Sequence, residues 1–296
     1  MGDVLPRTPP TAVAGDIKFS NLSGGLERTC GISVDGTAYC WGDNTDGRTG
    51  IGSAGGGVMA PAKVQIPANA KVRQIQAGVT AACAVTIADQ AYCWGTNRLG
   101  QLGSSAAPRG FIGAFSAVPV PVDGAFATKQ IATMGPKTCL LTNAGKAYCF
   151  GNNSVFELGA TTGTPCDGGT KPCSLAPIAV NTQEVFQSLS ALWFGNCGLT
   201  ADHRTLCWGM DFEQAFGAQG GAIPSCPVEG AVDPCTATPT PGAAGLMALS
   251  GYRGTQCAMK DDGLAYCWGG NAFGQRGWGS PGADRNPGIF SIAPGT

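Results

Sequence analysis

Apolar and polar side chains alternate over short stretches of this chain, as in Val72-Arg73-Gln74-Ile75 and Lys129-Gln130-Ile131. A period of two predicts β-strands with one buried face and one solvent-facing side. No stretch has the periodicity of a long amphipathic helix, and 47 Gly and 20 Pro residues interrupt the whole length. Gly supports tight turns and Pro stops helices, so the pattern predicts an all-β protein of many short strands.

One four-residue motif recurs along the chain, with cysteine second and glycine last. Its copies lie 53 to 60 residues apart. They are Tyr39-Cys40-Trp41-Gly42, Tyr92-Cys93-Trp94-Gly95, Tyr148-Cys149-Phe150-Gly151, Leu206-Cys207-Trp208-Gly209 and Tyr266-Cys267-Trp268-Gly269. Self-similarity at a nearly fixed period is typical of repeat architectures, so the chain is predicted to contain one structural unit five times.

Each copy carries another cysteine ten residues upstream, with a turn such as Asp35-Gly36 midway. Folded as a hairpin, the two cysteines face each other with Cα atoms about 4.5–5.5 Å apart, which a disulfide can bridge. Zinc binding is the alternative, but it needs closer pairs such as C-x₂-C, which the chain lacks. The predicted disulfides are Cys30–Cys40, Cys83–Cys93, Cys139–Cys149, Cys197–Cys207 and Cys257–Cys267, with Cys166–Cys173 and Cys226–Cys235 inside two long loops.

Two further strands per unit complete the predicted element pattern. A turn with Asn or Asp at its start and Gly at its end follows each motif, as in Asn97 to Gly103. A strand that begins at a proline is expected next, and an alternating strand precedes the following hairpin. The prolines are Pro61, Pro121, Pro177, Pro239 and Pro287. Four strands in a unit of about 55 residues predict a β-propeller blade.

The segment from Cys83 to Gly103, which ends Tyr92-Cys93-Trp94-Gly95-Thr96-Asn97-Arg98-Leu99-Gly100-Gln101-Leu102-Gly103, resembles a repeat of the RCC1 family. Degraded versions cover nearly the whole chain, with Phe156 and Gln214 where the motif has Gly. The secreted β-lactamase inhibitor protein II family has the same type of blade. Both families imply seven blades, whereas this sequence has five motif copies. Either five blades close a ring, or the ring is open and completed by another chain.

The chain is divided into a Pro-rich tail or extra strand over residues 1–15 and a single propeller domain over residues 16–296. Pro10 to Val13 and Pro287 to Ile292 both read as Pro-led strands, which leaves one strand in surplus. An exposed strand is a template for adding a neighbour, so head-to-tail self-assembly is one expectation. Residues 1–10 lack an apolar core segment, which indicates that any signal peptide has been removed. The disulfides predict a secreted, extracellular, periplasmic or cell-surface protein.

Charge and chemistry exclude several classes of function. The net charge of −1 lacks the basic excess that nucleic acid or an anionic membrane attracts, and no apolar run is long enough for membrane insertion. The only histidine, His203, falls at a hairpin tip, and every thiol is committed to a disulfide. Asp43 to Gly47 superficially resembles a calcium loop but lacks the bidentate Glu of an EF-hand. No catalytic residue, metal or cofactor is predicted.

Candidate contact residues lie in two loops of each unit that vary between copies. One loop precedes the first cysteine and the other follows the Trp-Gly pair. Resemblance to the β-lactamase inhibitor family implies that these loops face a partner, and clustered aromatic and Arg side chains are typical of binding hot spots. The predicted contact residues are Arg28, Arg98, Phe156, Trp193, Phe194, Phe212, Tyr252, Arg253 and Phe273. The alternative is that some of these rings pack against neighbouring blades.

The leading hypothesis is a secreted, non-enzymatic binding protein that engages a protein or a surface glycan through one face of the propeller. The alternative is a structural subunit that assembles head-to-tail into an extracellular fibre or surface layer through its terminal strands. Insertions at Ala160 to Ala176 and Ala218 to Thr238, each stiffened by its own disulfide, fit a shaped contact surface or protection from proteases. An enzyme such as a propeller lyase lacks the required acid, base or metal.

Overall fold

The structure is a computed structural model that describes residues 11–110, 112–162, 165–166, 171–217, 223–227 and 233–277, together with the backbone of 290–291. It is all-β, with five antiparallel sheets of four strands each. The strands are β1 Phe19–Gly24, β2 Arg28–Ser33, β3 Ala38–Asp43 and β4 Gly57–Lys63 in blade 1; β5 Val72–Ala77, β6 Ala81–Thr86, β7 Ala91–Thr96 and β8 Phe115–Pro121 in blade 2; β9 Thr128–Met134, β10 Lys137–Thr142, β11 Ala147–Asn152 and β12 Cys173–Ala179 in blade 3; β13 Phe186–Ala191, β14 Gly195–Thr200, β15 Arg204–Met210 and β16 Cys235–Ala244 in blade 4; and β17 Ala248–Tyr252, β18 Thr255–Met259, β19 Ala265–Gly269 and β20 Phe290–Ser291 in blade 5.

Neighbouring strands along the chain pair within each sheet, so each blade is an antiparallel meander. The paired cysteines face each other directly, as Cys30 does Cys40 and Cys83 does Cys93. Their Cα atoms lie 4.0–4.1 Å apart in all five blades, somewhat closer than the spacing expected for such a pair. Both loop disulfides also form, so all seven predicted pairs are confirmed. The five-bladed, disulfide-stapled propeller is therefore confirmed as well.

The hydrophobic core lies between blades. Trp94, Phe150, Trp208 and Trp268 are at most 1% exposed, and their surroundings come from two adjacent sheets. Trp94, for example, packs with Cys30 and other residues of blade 1. A blade is too thin to bury its own tryptophan, so the adjacent blade has to complete the cover.

Trp41 departs from this rule, because it alone of the four tryptophans in the repeated motif is not fully buried. It packs on Phe19 of its own blade, with ring centroids 5.5 Å apart, but remains partly exposed. Packing between blades runs in order from blade 1 to blade 5. Across the described residues no comparable packing returns from blade 5 to blade 1, so no preceding sheet covers Trp41.

The outer strands begin earlier than predicted. They start at Gly57, Phe115, Cys173 and Cys235, so the proline expected to lead each one lies inside it or at its end. A proline is tolerated there because an outer strand has a free edge and the pairing carries a register shift in blades 1 to 4. Pro287 lies outside the described residues, although Phe290–Ser291 pairs with β19.

The surplus N-terminal strand predicted near Pro10 to Val13 is not seen among its described residues. Residues 11–18 contain no strand, and Pro10 lies outside the described residues. The hairpin tips, in contrast, agree with the prediction: His203 has a φ of 64°, as Gly36 and Gly145 have positive φ at the same position of their blades. The described residues contain no helix long and apolar enough to cross a membrane.

Candidate functional site

The two variable loops of each blade lie at the same end of the propeller. In an antiparallel meander the first and third turns share one edge of the sheet, and the second turn lies at the other. The turn between β13 and β14 therefore accompanies the turn after β15, and blade 5 repeats this arrangement. This end is called the rim below.

Aromatic side chains from blades 4 and 5 meet at the rim. Phe194 lies edge-on to Trp193, with ring centroids 6.3 Å apart, and edge-on to Phe212 at 5.4 Å. Edge-to-face contacts of this kind are favourable because the ring edge is positive and the ring face is negative. The first turn of blade 4 and its third turn are thus joined through Phe194.

Arg253 connects this aromatic group to blade 5. Its guanidinium carbon lies 5.0 Å from the centre of the Trp193 ring, which is a cation–π distance. The backbone N–H of Trp193 also donates to the carbonyl of Arg253 at 3.0 Å. Side chain and backbone together fix the relative position of the two loops.

A cavity of about 520 Å³ opens beside these loops, and its lining includes Phe212, Glu213, Tyr252, Arg253 and Phe273. Tyr252 is 47% exposed and Phe273 is 92% exposed. A large ring that is so exposed buries little apolar area within its own chain, so this area is available to a partner. The rim cluster is defined as Trp193, Phe194, Phe212, Tyr252, Arg253 and Phe273.

The structure does not bring the other three predicted contact residues into this cluster. Arg98 is exposed on blade 2, with its guanidinium 3.8 Å from the carboxylate of Asp46. Phe156 is half-buried on blade 3. Its φ is positive, at 65°. Most blades have glycine at this position of the repeat, and Gln214 is the other residue there that is not glycine.

Arg28 is corrected from a surface position to a buried one, with 3% exposure. Its guanidinium donates to the carbonyls of Gly78 at 2.9 Å and Val79 at 3.1 Å, both in the first turn of blade 2. Burial lowers the pKa of Arg28 to about 10, so the group stays charged at neutral pH. Its role in the structure is to join blades 1 and 2.

Lys137 has an equivalent role between blades 3 and 4 and was missed as a contributor to the site. It occupies the position of Arg28, two residues before the first cysteine. Its ammonium group donates to the carbonyl of Leu192 at 2.5 Å and approaches that of Trp193 at 3.5 Å. These carbonyls belong to the turn that carries Trp193 and Phe194, so a buried cation holds the rim cluster in place. Arg28 and Lys137 share one position of the repeat, and this is the sequence signal that could have indicated the role of Lys137.

The described residues contain no group of three or more His, Cys, Asp or Glu side chains arranged to hold a metal ion. In the segment that superficially resembled a calcium loop, Asp43 accepts hydrogen bonds from Thr45 and Arg48. Asp46 accepts one from Thr96 of blade 2. The carboxylate of Asp43 therefore stabilises its own turn, and that of Asp46 connects blade 1 to blade 2.

The fold and the rim cluster define a disulfide-stapled β-propeller that carries an aromatic surface at one end. Family comparison gives its type. The family model described as "Regulator of chromosome condensation (RCC1) repeat" matches residues 35–85, and a second model of the same description matches residues 19–48. The chain is an RCC1-like repeat propeller.

Curated relatives share the repeat rather than the whole protein. The Ultraviolet-B receptor UVR8 of Arabidopsis thaliana is 35% identical over 85 residues, 29% of this chain and 19% of that protein. The mitochondrial RCC1 domain-containing protein RUG3 of the same plant is 29% identical over 153 residues, 50% of this chain and 33% of that protein. Alignments with the first relatives thus cover a third or less of their length.

Solved structures agree on the fold. Human WBSCR16 superposes with a TM-score of 0.76 at 15% identity, over 96% of this chain and 70% of that one. Prp20p of Saccharomyces cerevisiae superposes with a TM-score of 0.65 at 18% identity, over 82% of this chain and 56% of that one. Such low identity shows a shared fold and no more.

Proposed function

We propose that this protein is a secreted, non-enzymatic binding protein whose rim cluster is the contact surface for a protein partner. The observation that carries the proposal is the joining of three aromatic rings and one guanidinium beside a cavity of about 520 Å³, with Phe273 92% exposed at its edge. Nothing in the packing of the described residues requires that ring to be exposed.

A protein partner fits the chemistry of this surface. Aromatic and Arg side chains dominate binding hot spots because rigid rings bury a large area at a small entropic cost. Arg253 stacked on Trp193 is already ordered before binding, which lowers that cost further. Among the proteins of the same fold, Prp20p itself has binding properties toward Gsp1p and histones.

A non-enzymatic role agrees with the placement of the reactive groups. His203, the only histidine of the chain, lies at a hairpin tip, at the opposite end of the blade from the rim. The 14 cysteines form seven disulfides. Disulfides in this number are typical of an oxidising compartment, which supports export from the cytosol.

Affinity capture with paired variants tests the proposal. The oxidised protein is immobilised and used to recover partners from the extracellular fraction of its source, and each recovered partner is then titrated. Tyr252→Ala combined with Phe273→Ala removes the two most exposed rings of the cluster, and the dissociation constant is expected to rise by about 30-fold or more. The matched control is Val34→Ala combined with Ile87→Ala, which removes exposed apolar groups at the opposite end.

Unchanged affinity of the rim variant for every recovered partner would refute the rim cluster as the contact surface. Equal losses in the rim and control variants would point to a general effect on the fold. If only oligosaccharides compete for the surface and no protein binds, the occupant is a glycan and the proposal of a protein partner fails.

A further inference from the structure

The same joint connects successive blades four times within the chain. The turn that follows the third strand of a blade, here named the trailing turn, ends in a glycine that lies against the aromatic core residue of the next blade. A Cβ on Gly50 would lie 2.7 Å from the Nε1 of Trp94, and one on Gly217 would lie 2.7 Å from that of Trp268. Gly103 meets Phe150 and Gly159 meets Trp208 in the same way.

A second contact of the joint connects the trailing turn to the outer strand of the next blade. A Cβ on Gly100 would lie 2.6 Å from the carbonyl oxygen of Ser174 and would also meet Leu175 in β12. Gly47 makes the equivalent approach to the backbone of Ala117 in β8. These approaches leave no room for a side chain at the tip of the trailing turn in blades 1 and 2.

A hydrogen bond completes the joint in two of the four cases. The indole N–H of Trp94 donates to the carbonyl of Arg48 at 3.0 Å, and that of Trp268 donates to the carbonyl of Ala215 at 2.8 Å. Both acceptors lie two residues before the closing glycine of the trailing turn. The equivalent residue in blade 5 is Gln275.

Blade 1 has the aromatic residue and the outer strand of this joint, which are here named its receiving half. Among the described residues, no trailing turn packs against them. Trp41 is partly exposed, whereas its counterparts are at most 1% exposed. Met59 of β4 is the counterpart of Ala117, since Gly42 pairs with Val58 as Gly95 pairs with Ser116. Met59 is 92% exposed. The receiving face is defined as Trp41 and Met59.

Blade 5 presents the other half. In its trailing turn, residues 272–275 are all exposed, and a Cβ on Gly274 would meet nothing within 4 Å. Its counterparts Gly47 and Gly100 are both buried against the next blade. One chain therefore carries both halves of an interface that it already forms four times internally.

We propose that the trailing turn of blade 5 in one copy docks on the receiving face of blade 1 in a second copy. The occupant is a second copy because the two surfaces have the shapes, the exposed apolar residues and the bonding groups of the internal joint. Gly274 would approach Met59, and the carbonyl of Gln275 would accept from the indole of Trp41. Such a head-to-tail contact gives rings if the rotation closes and filaments if it does not.

This inference goes beyond the proposed function and uses a different surface for its test. The receiving face lies on blade 1, whereas the rim cluster lies on blades 4 and 5. The contact is also different from pairing of terminal strands, because it joins a turn to a sheet face. Phe273 belongs to both the rim cluster and the trailing turn of blade 5, so it is left unchanged in the experiment.

Sedimentation equilibrium over a wide concentration range tests the contact on the full chain. The protein is expected to associate, and Met59→Lys is expected to weaken association by tenfold or more because it places a charge in a dry joint. Gly274→Asn is expected to have a similar effect, because in the two joints whose turn has glycine at this position, Gly47 and Gly100, the outer strand approaches too closely for a side chain. The fold tolerates such a residue, because Phe156 and Gln214 occupy the same position with φ of 65° and 62°. Ile87→Lys is the matched control.

Mixing the two variants gives the sharpest result. The Met59→Lys chain keeps a normal trailing turn and the Gly274→Asn chain keeps a normal receiving face, so an equimolar mixture is expected to form dimers and nothing larger. A wild-type chain that stays monomeric at all concentrations would overturn the proposal. Association that survives both variants would overturn it too. Neither outcome bears on whether the rim binds another protein.

Discussion

Lys137 and Glu157 are both 1% exposed in blade 3, and each is held by partners other than the opposite charge. The ammonium group donates to Leu192 of blade 4, while the carboxylate accepts from the side chain of Asn152 at 2.5 Å and the backbone N–H of Val155 at 2.9 Å. Burial lowers the pKa of Lys137 to about 8 and raises the pKa of Glu157. Each charge partly offsets the cost of burying the other.

A double-mutant cycle measures this dependence. Lys137→Met leaves a buried carboxylate without a compensating cation, and Glu157→Gln leaves a buried ammonium group without an anion. We expect each single variant to lower the free energy of unfolding by about 3 kcal/mol. The double variant is expected to lose less than the sum by about 1–2 kcal/mol, because no lone charge remains. Urea denaturation at neutral pH provides the measurement.

Two other blades show how glutamine fits at the position of Glu157. Gln101 and Gln275 occupy its position in blades 2 and 5, and each accepts the same backbone N–H, from Leu99 and Phe273. The backbone of the turn therefore tolerates the amide, so a loss comes from the charge of Lys137 and from the acceptor that Asn152 loses. Strictly additive effects of the two substitutions would contradict the coupling.

A comparison of two core tryptophans tests the bond that closes each blade joint. The indole N–H of Trp94 donates to Arg48 at 3.0 Å, whereas that of Trp208 is buried without an acceptor in the described residues. Trp94→Phe is expected to cost about 1 kcal/mol more than Trp208→Phe, since only the first substitution leaves a part-buried carbonyl without its hydrogen bond. Phe150 shows that the position accepts phenylalanine. If thermal or urea unfolding shows equal losses of unfolding free energy in the two variants, the hydrogen bond does not stabilise the joint.

The repeat made the fold predictable from the sequence. Cys30 and Cys40 flank a turn at a spacing that a hairpin satisfies, and five such pairs predict two strands of every blade. The predicted start of the outer strand at Pro61 is too late, since the strand begins at Gly57. A proline reads as a boundary in sequence, but at a free edge with a register shift it interrupts no hydrogen bond.

The candidate site was only partly predictable. The sequence predicts Trp193, Phe212 and Phe273 as contact residues because variable loops in a repeat stand out against constant ones. Arg28 stood out for the same reason, yet its guanidinium is buried against carbonyls of the next blade. A long cationic side chain in a variable loop can serve either a partner or a neighbouring sheet, and sequence alone does not show which carbonyls lie within reach.

Asp211 is expected to make the free energy of unfolding depend on pH, because it places a carboxyl group at a turn position of the repeat that asparagine fills in the other blades. Its carboxylate accepts from the backbone N–H of Phe216 at 2.8 Å, as the amide oxygens of Asn44 and Asn97 accept in their own trailing turns. It is the one acid in a position otherwise held by asparagine, and burial raises its pKa from 3.8 to about 6. The nearby carboxylate of Asp233 acts in the same direction.

The sign of the effect follows from proton binding. Between pH 3.8 and about 6 the folded chain holds a proton at Asp211 that the unfolded chain has lost, so the free energy of unfolding falls as the pH rises through this window. Asp211→Asn removes the burden of a buried charge. The variant is expected to be more stable than wild type at pH 7 by up to about 3 kcal/mol and equally stable below about pH 4.

The reciprocal substitution Asn97→Asp serves as the matched control, because it should introduce the same pH-dependent loss in blade 2. Urea denaturation at pH 4 and at pH 7 distinguishes the outcomes. If wild type and Asp211→Asn keep a constant difference in unfolding free energy between these two values, the carboxyl does not titrate in the window that its burial requires. A loss in Asn97→Asp at pH 7 that disappears at pH 4 would show that the cost belongs to a charge at this position of the trailing turn rather than to blade 4 itself.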